Sequence, residues 1–202
     1  MIRAGDALQC IATDLDAHSV RWALVGGLAL HAHGIERPYP DIDIAIDMAD
    51  DAATATLVDA LRARGHMVQR VPHDKLGEIV LVHPRIAGAA PLGVLVDLLP
   101  RACGFEAEIV AAARRMTVLG VPIPVARIGH LVAFKVKALH DVQRARDRMD
   151  LRALLVSATS DERALAREAL RLSTERGVLR TDNPFAVLAG TSSAAFFGPT
   201  AS

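Results

Sequence analysis

The chain has 202 residues, of which 51% are apolar and 23% are charged, so it can bury the core of one domain and is not a disordered chain. Its 23 basic and 23 acidic side chains balance, which argues against a strongly basic, histone-like protein. Residues 1–100 carry 8 basic and 13 acidic side chains, and residues 101–202 carry 15 and 10. This asymmetry either arises by chance or suits a site that holds cations beside a polyanion.

The cysteines and the apolar runs indicate the cellular class. Cys10 and Cys103 form no CxxC pair and have no histidine at zinc-finger spacing, so no disulfide framework or zinc finger is expected. The N-terminus lacks the apolar run of a secretory signal, and no uninterrupted apolar stretch reaches about 18 residues. These features predict a soluble, cytoplasmic protein.

Apolar residues recur at helical or strand spacing along most of the chain. In chain order, the patterns predict a helix over 3–17, a strand over 20–25, a short helix over 28–33 after a glycine pair, a strand over 41–47, a helix over 52–64, strands over 67–71, 78–82 and 93–99, a helix over 105–113, strands over 116–119 and 121–125, and helices over 127–140, 143–157 and 161–174. The predicted fold class is therefore α+β. It comprises a mixed β-sheet domain with flanking helices over 1–126, a helical region over 127–180 and a flexible tail over 181–202.

The segment 41–47 carries the strongest chemical signal. Alternation along a strand puts its side chains on two opposite faces, which hold Ile42, Ile44 and Ile46 on one side and Asp41, Asp43 and Asp47 on the other. Neighbouring carboxylates repel, and a divalent cation such as Mg²⁺ relieves that repulsion. The pattern therefore predicts a metal site, or alternatively an exposed edge strand with an acidic face.

Two further features upstream and downstream suit such a site. Asp97 lies within the apolar run 93–99, where an unpaired charge is costly to bury, so it is a candidate third ligand or general base. The alternative is a charge at the end of a strand. Gly26 and Gly27 stand between a strand and a helix, where glycine lets the backbone approach a phosphate closely. Many such glycine pairs are only tight turns.

Taken in order, these residues resemble a known signature. Gly26-Gly27, a short helix ending at His33-Gly34, Arg37 and then Asp41-Ile42-Asp43 are similar to the DNA polymerase beta-like nucleotidyltransferase superfamily. The resemblance is to the small bacterial branch with AbiEii-type toxins and aminoglycoside- or lincosamide-modifying enzymes. It extends over about residues 20–156, through Asp97, a helix with Lys135, and a later helix with Asp147 and Asp150.

The resemblance implies a fold, a reaction and a set of site residues. The fold would be a nucleotidyltransferase-like mixed sheet, and the reaction would move a nucleoside monophosphate from an NTP to a hydroxyl with Mg²⁺ or Mn²⁺. Asp41, Asp43 and Asp97 would hold the metal and form the catalytic set, and the nucleotide-binding residues would be Gly26, Gly27, Arg37 and Lys135. The acceptor would be an RNA 3′ end such as that of tRNA, a protein or a small molecule. A toxin paired with an antitoxin protein is the favoured member of this class.

Lys135 is one of only three lysines, and its helical neighbours Leu131, Val132 and Leu139 are apolar. It is expected to contact a triphosphate or to pair with a buried carboxylate, unless its ammonium group only reaches solvent at the rim of the core. Lys137 has more polar neighbours. Asp147 and Asp150 share a helix face, where they either lie near the site or pair with Arg144 or Arg146.

Three positions depart from the family pattern. Leu28 stands where Ser, Thr or Trp is usual, Tyr39 replaces a Ser or Thr, and Pro40 removes a backbone donor before Asp41. Leu28 and Tyr39, which replace polar residues, favour an alternative function, a non-catalytic nucleotide-binding or protein-interaction module on the same fold. Three retained aspartates favour the enzyme.

Overall fold

The computed structural model describes residues 4–73, 77–84, 94–141 and 145–179, so the predicted tail over 181–202 lies outside the described residues. Every predicted helix and strand overlaps an observed one. The helices are α1 (Ala4–Ala17), α2 (Gly26–Ala32), α3 (Asp51–Ala63), α4 (Glu106–Ala112), α5 (Ile128–Asp141), α6 (Ala145–Ser157) and α7 (Ser160–Glu175). The strands are β1 (Arg21–Leu24), β2 (Asp41–Asp47), β3 (Met67–His73), β4 (Gly77–His83), β5 (Leu95–Leu99), β6 (Arg114–Val118) and β7 (Val121–Val125).

The strands in the described part of the chain form one mixed sheet in the order β3-β4-β5-β2-β1-β7-β6. The pairs β2–β5 and β1–β7 are parallel, and the remaining neighbours are antiparallel. Strand β2 therefore lies in the middle of the sheet, and α2 and α4 both pack against it. The fold is α+β with a nucleotidyltransferase-like mixed sheet, as the sequence predicts.

The described residues fall into two compact units. The first contains the residues up to Ala102 and the segment Glu106–Ala126, and it holds the whole sheet with α1 to α4. The second contains Cys103–Phe105 and the residues from Arg127 onwards, with α5, α6 and α7. Helix α5 packs against both α6 and α7. Among the residues described, no helix is both long and apolar enough to cross a membrane.

Local chemistry explains several element boundaries. The Asp50 carboxylate accepts a hydrogen bond from Ala53 N at 2.7 Å and so caps the start of α3. Thr159 Oγ1 accepts one from Glu162 N at 3.3 Å at the start of α7. The predicted start of α2 was wrong, because the helix begins at Gly26 and includes the glycine pair. Strand β6 begins at Arg114, two residues before its predicted start. Arg114 and Arg115 are exposed and charged, so they add nothing to the apolar pattern from which the strand was predicted.

Candidate active site

Strand pairing brings the two acidic segments together. Strands β2 and β5 run parallel with Asp43 directly opposite Asp97, and Asp41 is two residues before Asp43 on the same face. Asp41 and Asp43 are half-buried. The isoleucines of β2 are buried as predicted, and Ala45 on the opposite face is also only 1% exposed. Helices α2 and α4 both pack against this central strand. On the acidic face, Ala45 is therefore buried between the half-buried Asp43 and Asp47.

The three carboxylates converge. One oxygen of each of Asp41, Asp43 and Asp97 lies within 4.8 Å of an oxygen of both others. Asp47, on the same strand, is not part of this group, since its carboxylate forms an ion pair with Arg21 of β1. We call Asp41, Asp43 and Asp97 the carboxylate cluster. The strand pattern alone could not separate Asp47 from it.

The Asp97 carboxylate lies in an unfavourable electrostatic environment. Its Oδ1 atom is buried and makes no hydrogen bond within the described part of the chain. Burial, and then the nearby charge of Asp41, raise the pKa of Asp97 from 3.8 to about 6. A buried oxygen without a donor, beside a second carboxylate, is an atom that lacks a positive partner.

The donor set fits a hard divalent cation. The cluster offers carboxylate oxygens alone, the ligands that Mg²⁺ and Mn²⁺ prefer over softer metals. Such an ion would give the buried Asp97 Oδ1 the positive partner that it lacks, and it would offset the repulsion between the carboxylates. The residues present therefore suit a Mg²⁺-like ion.

Gly26 packs directly against the cluster. Its φ is +63°, in the left-handed region that glycine adopts without strain. A Cβ at this position would lie 2.5 Å from Asp43 Cγ and 2.7 Å from Asp43 Cβ. The neighbouring Val25 N donates to Asp43 O at 2.9 Å, which fixes the start of α2 beside β2. Only a glycine fits where α2 begins.

Gly27 makes room for Arg37. A Cβ on Gly27 would lie 3.1 Å from Arg37 Cζ and 3.2 Å from Tyr39 Cβ, so the guanidinium group lies beside the glycine pair. The Tyr39 ring packs against His31 with ring centroids 5.5 Å apart. Leu28 is fully buried, so its side chain belongs to the core. The structure thus brings Gly26, Gly27 and Arg37 near one another.

Lys135 lies in the second unit and has two carboxylate partners. Its Nζ is 2.8 Å from Asp147 Oδ1 and 2.8 Å from Asp150 Oδ2. The expectation of a buried carboxylate partner is thus met, whereas Arg146 is exposed and Arg144 lies outside the described residues. Lys137, for which more polar neighbours are expected, is only 3% exposed.

Sequence reasoning did not anticipate the contact of His33. Its Nε2 lies 2.8 Å from Ala126 O, which links the end of α2 to the residue after β7. The position of His33 before Gly34 suggests only a helix end. The partner lies 93 positions away in the chain, so no local pattern could indicate it.

Comparisons with known proteins indicate the family and the fold of the chain. The model of the family described as the nucleotidyl transferase AbiEii toxin of type IV toxin–antitoxin systems matches residues 7–189. Among solved structures, the antibiotic-resistance factor ANT(2'')-Ia is 16% identical with a TM-score of 0.56, and the alignment covers 92% of this chain and 95% of that one.

A second structure, an antigenic nucleotidyltransferase-like protein from Paracoccidioides brasiliensis, is 17% identical with a TM-score of 0.50 and 92% of both chains covered. At these identities the two structures show a shared fold. No curated protein sequence matches the chain. The family match spans most of the chain, and the chain therefore belongs to the AbiEii family of nucleotidyltransferase toxins.

Proposed function

We propose that this nucleotidyltransferase depends on a divalent cation and moves a nucleoside monophosphate from an NTP to a hydroxyl acceptor. The observation that carries the proposal is the carboxylate cluster, in which Asp41, Asp43 and Asp97 place oxygens within 4.8 Å of one another. Because the buried Asp97 Oδ1 has no hydrogen bond in the described residues, a purely structural role leaves its burial unexplained.

Asp41, Asp43 and Asp97 would hold Mg²⁺ or Mn²⁺. When bound, the cation supplies positive charge that neutralises the phosphates and favours loss of a proton from the acceptor hydroxyl. The half-buried position of Asp41 and Asp43 leaves their oxygens accessible to an ion that also meets substrate phosphates. The parallel pairing of β2 and β5 fixes the spacing of the three side chains before substrate arrives.

The glycine pair and Arg37 would bind the triphosphate. Gly26 and Gly27 present backbone without side chains, so phosphate oxygens can approach closely. The guanidinium group of Arg37 lies beside Gly27, where its planar set of donors suits two phosphate oxygens. We also propose Lys135 as a phosphate contact. Its ammonium has three N–H donors, and two of them serve Asp147 and Asp150.

In the proposed reaction, the acceptor oxygen attacks the α-phosphorus of the NTP. The new O–P bond forms as the bond from the α-phosphorus to the bridging oxygen breaks, and pyrophosphate leaves with that oxygen. The hydroxyl proton passes to solvent. The residues of this chain orient the two reactants and stabilise the charge, and they form no covalent bond with either.

We favour an RNA 3′ end, such as that of tRNA, as the acceptor. Residues 101–202 carry 15 basic and 10 acidic side chains, and Arg146, Arg148 and Arg152 of α6 are exposed. An exposed basic helix suits a phosphate backbone. This acceptor also agrees with the toxin description of the family, in which a partner antitoxin is expected. A protein side chain or a small-molecule hydroxyl is the next choice.

A labelling experiment tests the proposal. The protein is incubated with Mg²⁺ and each α-³²P-labelled NTP, in turn with total RNA, cell protein and a panel of antibiotics that bear hydroxyl groups. We expect label to enter one acceptor class with one preferred NTP, and EDTA to abolish the transfer. The variant Asp43→Asn should be inactive, whereas the matched control Asp47→Asn should keep activity, since Asp47 lies on the same strand but outside the cluster.

A different pattern of results would contradict the enzyme. If no acceptor is labelled but NTP and Mg²⁺ raise the melting temperature, the chain is a nucleotide-binding module. If no NTP changes the melting temperature, the interaction module is favoured. A ligand that binds only the folded state raises the free energy of unfolding by about 2.7 kcal/mol when its concentration is a hundredfold above Kd. A thermal melt resolves a shift of this size.

A further inference from the structure

A second group of side chains of the types that ligate metals lies in the first unit, outside the carboxylate cluster. Cys10 and Asp14 are four residues apart on α1 and so share one helix face. His66 follows the turn that ends α3. One ligand atom of each of these three residues lies within 4.8 Å of the other two. We call them the thiol–imidazole–carboxylate group.

The turn after α3 holds His66 in place. Gly65 has a φ of +89° and donates to Arg62 O at 2.8 Å, and His66 N donates to Leu61 O at 3.2 Å. These bonds close the end of α3 and direct the chain towards α1. The imidazole is therefore positioned by backbone hydrogen bonds, which a precise ligand site requires.

Asp14 connects the group. Its Oδ2 is 2.5 Å from His66 Nε2, and both side chains are 2% exposed. The other oxygen, Oδ1, forms an ion pair with Arg64 Nε, but the geometry is not that of a hydrogen bond, and this buried atom makes none in the described residues. The buried carboxylate therefore lies between the imidazole of His66 and the guanidinium group of Arg64.

The three side chains offer different donor atoms. Cys10 provides a sulfur, His66 a ring nitrogen and Asp14 a carboxylate oxygen. A thiol beside an imidazole and a carboxylate is the donor combination of a transition-metal site.

We propose that Cys10, Asp14 and His66 bind Zn²⁺. Sulfur, nitrogen and oxygen together match the ligands of Zn²⁺ in proteins, whereas Mg²⁺ and Ca²⁺ prefer oxygen alone. Cys10 is half-buried, so solvent can supply a fourth ligand on its side. Arg64 would keep its ion pair with Asp14 Oδ1 and orient the carboxylate, as outer partners of metal ligands do.

The binding step balances without a redox change. Zn²⁺ would replace the thiol proton of Cys10, which would pass to solvent. His66 would bind as a neutral imidazole whose single ring proton stays on the nitrogen that does not ligate, and Asp14 would bind as a carboxylate. The bound ion would join α1 to the turn between α3 and β3. Its effect would be on the stability of the first unit, and this inference does not rest on the proposed transfer reaction.

Cobalt provides the direct test, because Co²⁺ bound to a thiolate has a charge-transfer absorption that oxygen ligands do not produce. The full chain, reduced and stripped with EDTA, is titrated with Co²⁺ in the Asp43→Asn background so that the carboxylate cluster does not compete. We expect a saturable thiolate band that Zn²⁺ abolishes by displacement. Cys10→Ser should lose the band, while Cys103→Ala, which removes the other cysteine, should keep it.

A thermal melt gives the second measurement. Zn²⁺ should raise the melting temperature of wild type, and Cys10→Ser should bind Zn²⁺ at least about tenfold more weakly. This substitution is nearly isosteric and half-buried, so the folded protein can be measured even if variants of the buried His66 fail to fold. Absence of the thiolate band, or an equal Zn²⁺ shift in Cys10→Ser, overturns the proposal.

Discussion

Gly26 and Asp43 lie so close together that a side chain at position 26 does not fit while the Asp43 carboxylate keeps its place. A Cβ on Gly26 would lie 2.5 Å from Asp43 Cγ, within a backbone whose φ is +63°. The start of α2 and the carboxylate on β2 therefore constrain each other. A side chain at Gly26 has to displace the Asp43 carboxylate or shift the helix.

We expect Gly26→Ala to lose both stability and transfer activity. Left-handed backbone strain and overpacking together should cost about 2–4 kcal/mol, and the displaced Asp43 should no longer share a cation. Gly34→Ala is the matched control, because Gly34 has a φ of +81° but nothing within 4 Å of an added Cβ. It should cost about 1 kcal/mol and keep activity. Equal loss of activity in both variants would remove the close contact as the cause.

Asp43→Asn should abolish transfer while the protein remains folded. The core of β2 is formed by its buried isoleucines, which the substitution does not touch. In EDTA the variant should be slightly more stable than wild type, by about 0.5–1 kcal/mol, because repulsion within the carboxylate cluster is relieved. Activity with labelled NTP and a melt in EDTA provide the two measurements. A clearly less stable variant would assign Asp43 a structural ion pair.

The metal-free protein should lose stability as the pH rises from about 4 to about 6. The pKa of Asp97 is about 6 in the folded chain against 3.8 unfolded, so the folded state holds more protons in this window. The sign is therefore a fall in unfolding free energy with rising pH, by about 1–2 kcal/mol after solvent screening is discounted. Denaturant titrations in EDTA measure it.

Asp97→Asn is the control for that dependence, because asparagine does not titrate. The difference in stability between variant and wild type should be small at pH 4 and grow towards pH 7. Saturating Mg²⁺ should abolish the dependence in wild type, since the cation favours the charged carboxylate. A wild-type profile in EDTA that runs parallel to the variant would show that burial of Asp97 costs little.

Lys135→Met should destabilise the protein by about 3–5 kcal/mol, because it leaves Asp147 and Asp150 without their shared cation. Adding Asp147→Asn and Asp150→Asn should recover part of that loss. Arg171→Met is the comparison, since its carboxylate partners on α7 are exposed and its loss should matter far less. Chemical denaturation measures each difference. If Lys135→Met is as stable as wild type but no longer binds NTP, the ion pairs contribute little to stability. Lys135 would then act mainly as a phosphate contact.

Local periodicity in the sequence predicted the part of the carboxylate cluster that lies on one strand. Alternation along β2 fixes the shared face of Asp41 and Asp43, because a strand has a side-chain period of two. The position of Asp97 beside them depends on which strands pair and in which register, and no local pattern determines that pairing. Asp47 shows the same limit, since its partner Arg21 belongs to a strand 26 positions earlier.

Burial of single charged residues was harder to predict than the elements themselves. Three apolar neighbours on one helix face correctly indicated a buried Lys135, but Lys137, which is more deeply buried, had polar neighbours in the sequence. The i, i+4 spacing of Cys10 and Asp14 is visible in the sequence. Their proximity to His66 is not, because 52 residues separate His66 from Asp14. Tertiary packing determines which charged residues are buried and what they contact. Helix periodicity indicates only which residues share one face of a helix.

The parallel pairing of β2 with β5 has a consequence for folding. A slip of one residue between these strands turns every side chain of the displaced strand to the opposite face, and Asp97 would then point away from Asp43. A cation held by all three carboxylates can bind only the native alignment. Its binding free energy therefore adds to that alignment alone, and Mg²⁺ should lower the population of misaligned sheets while the chain folds.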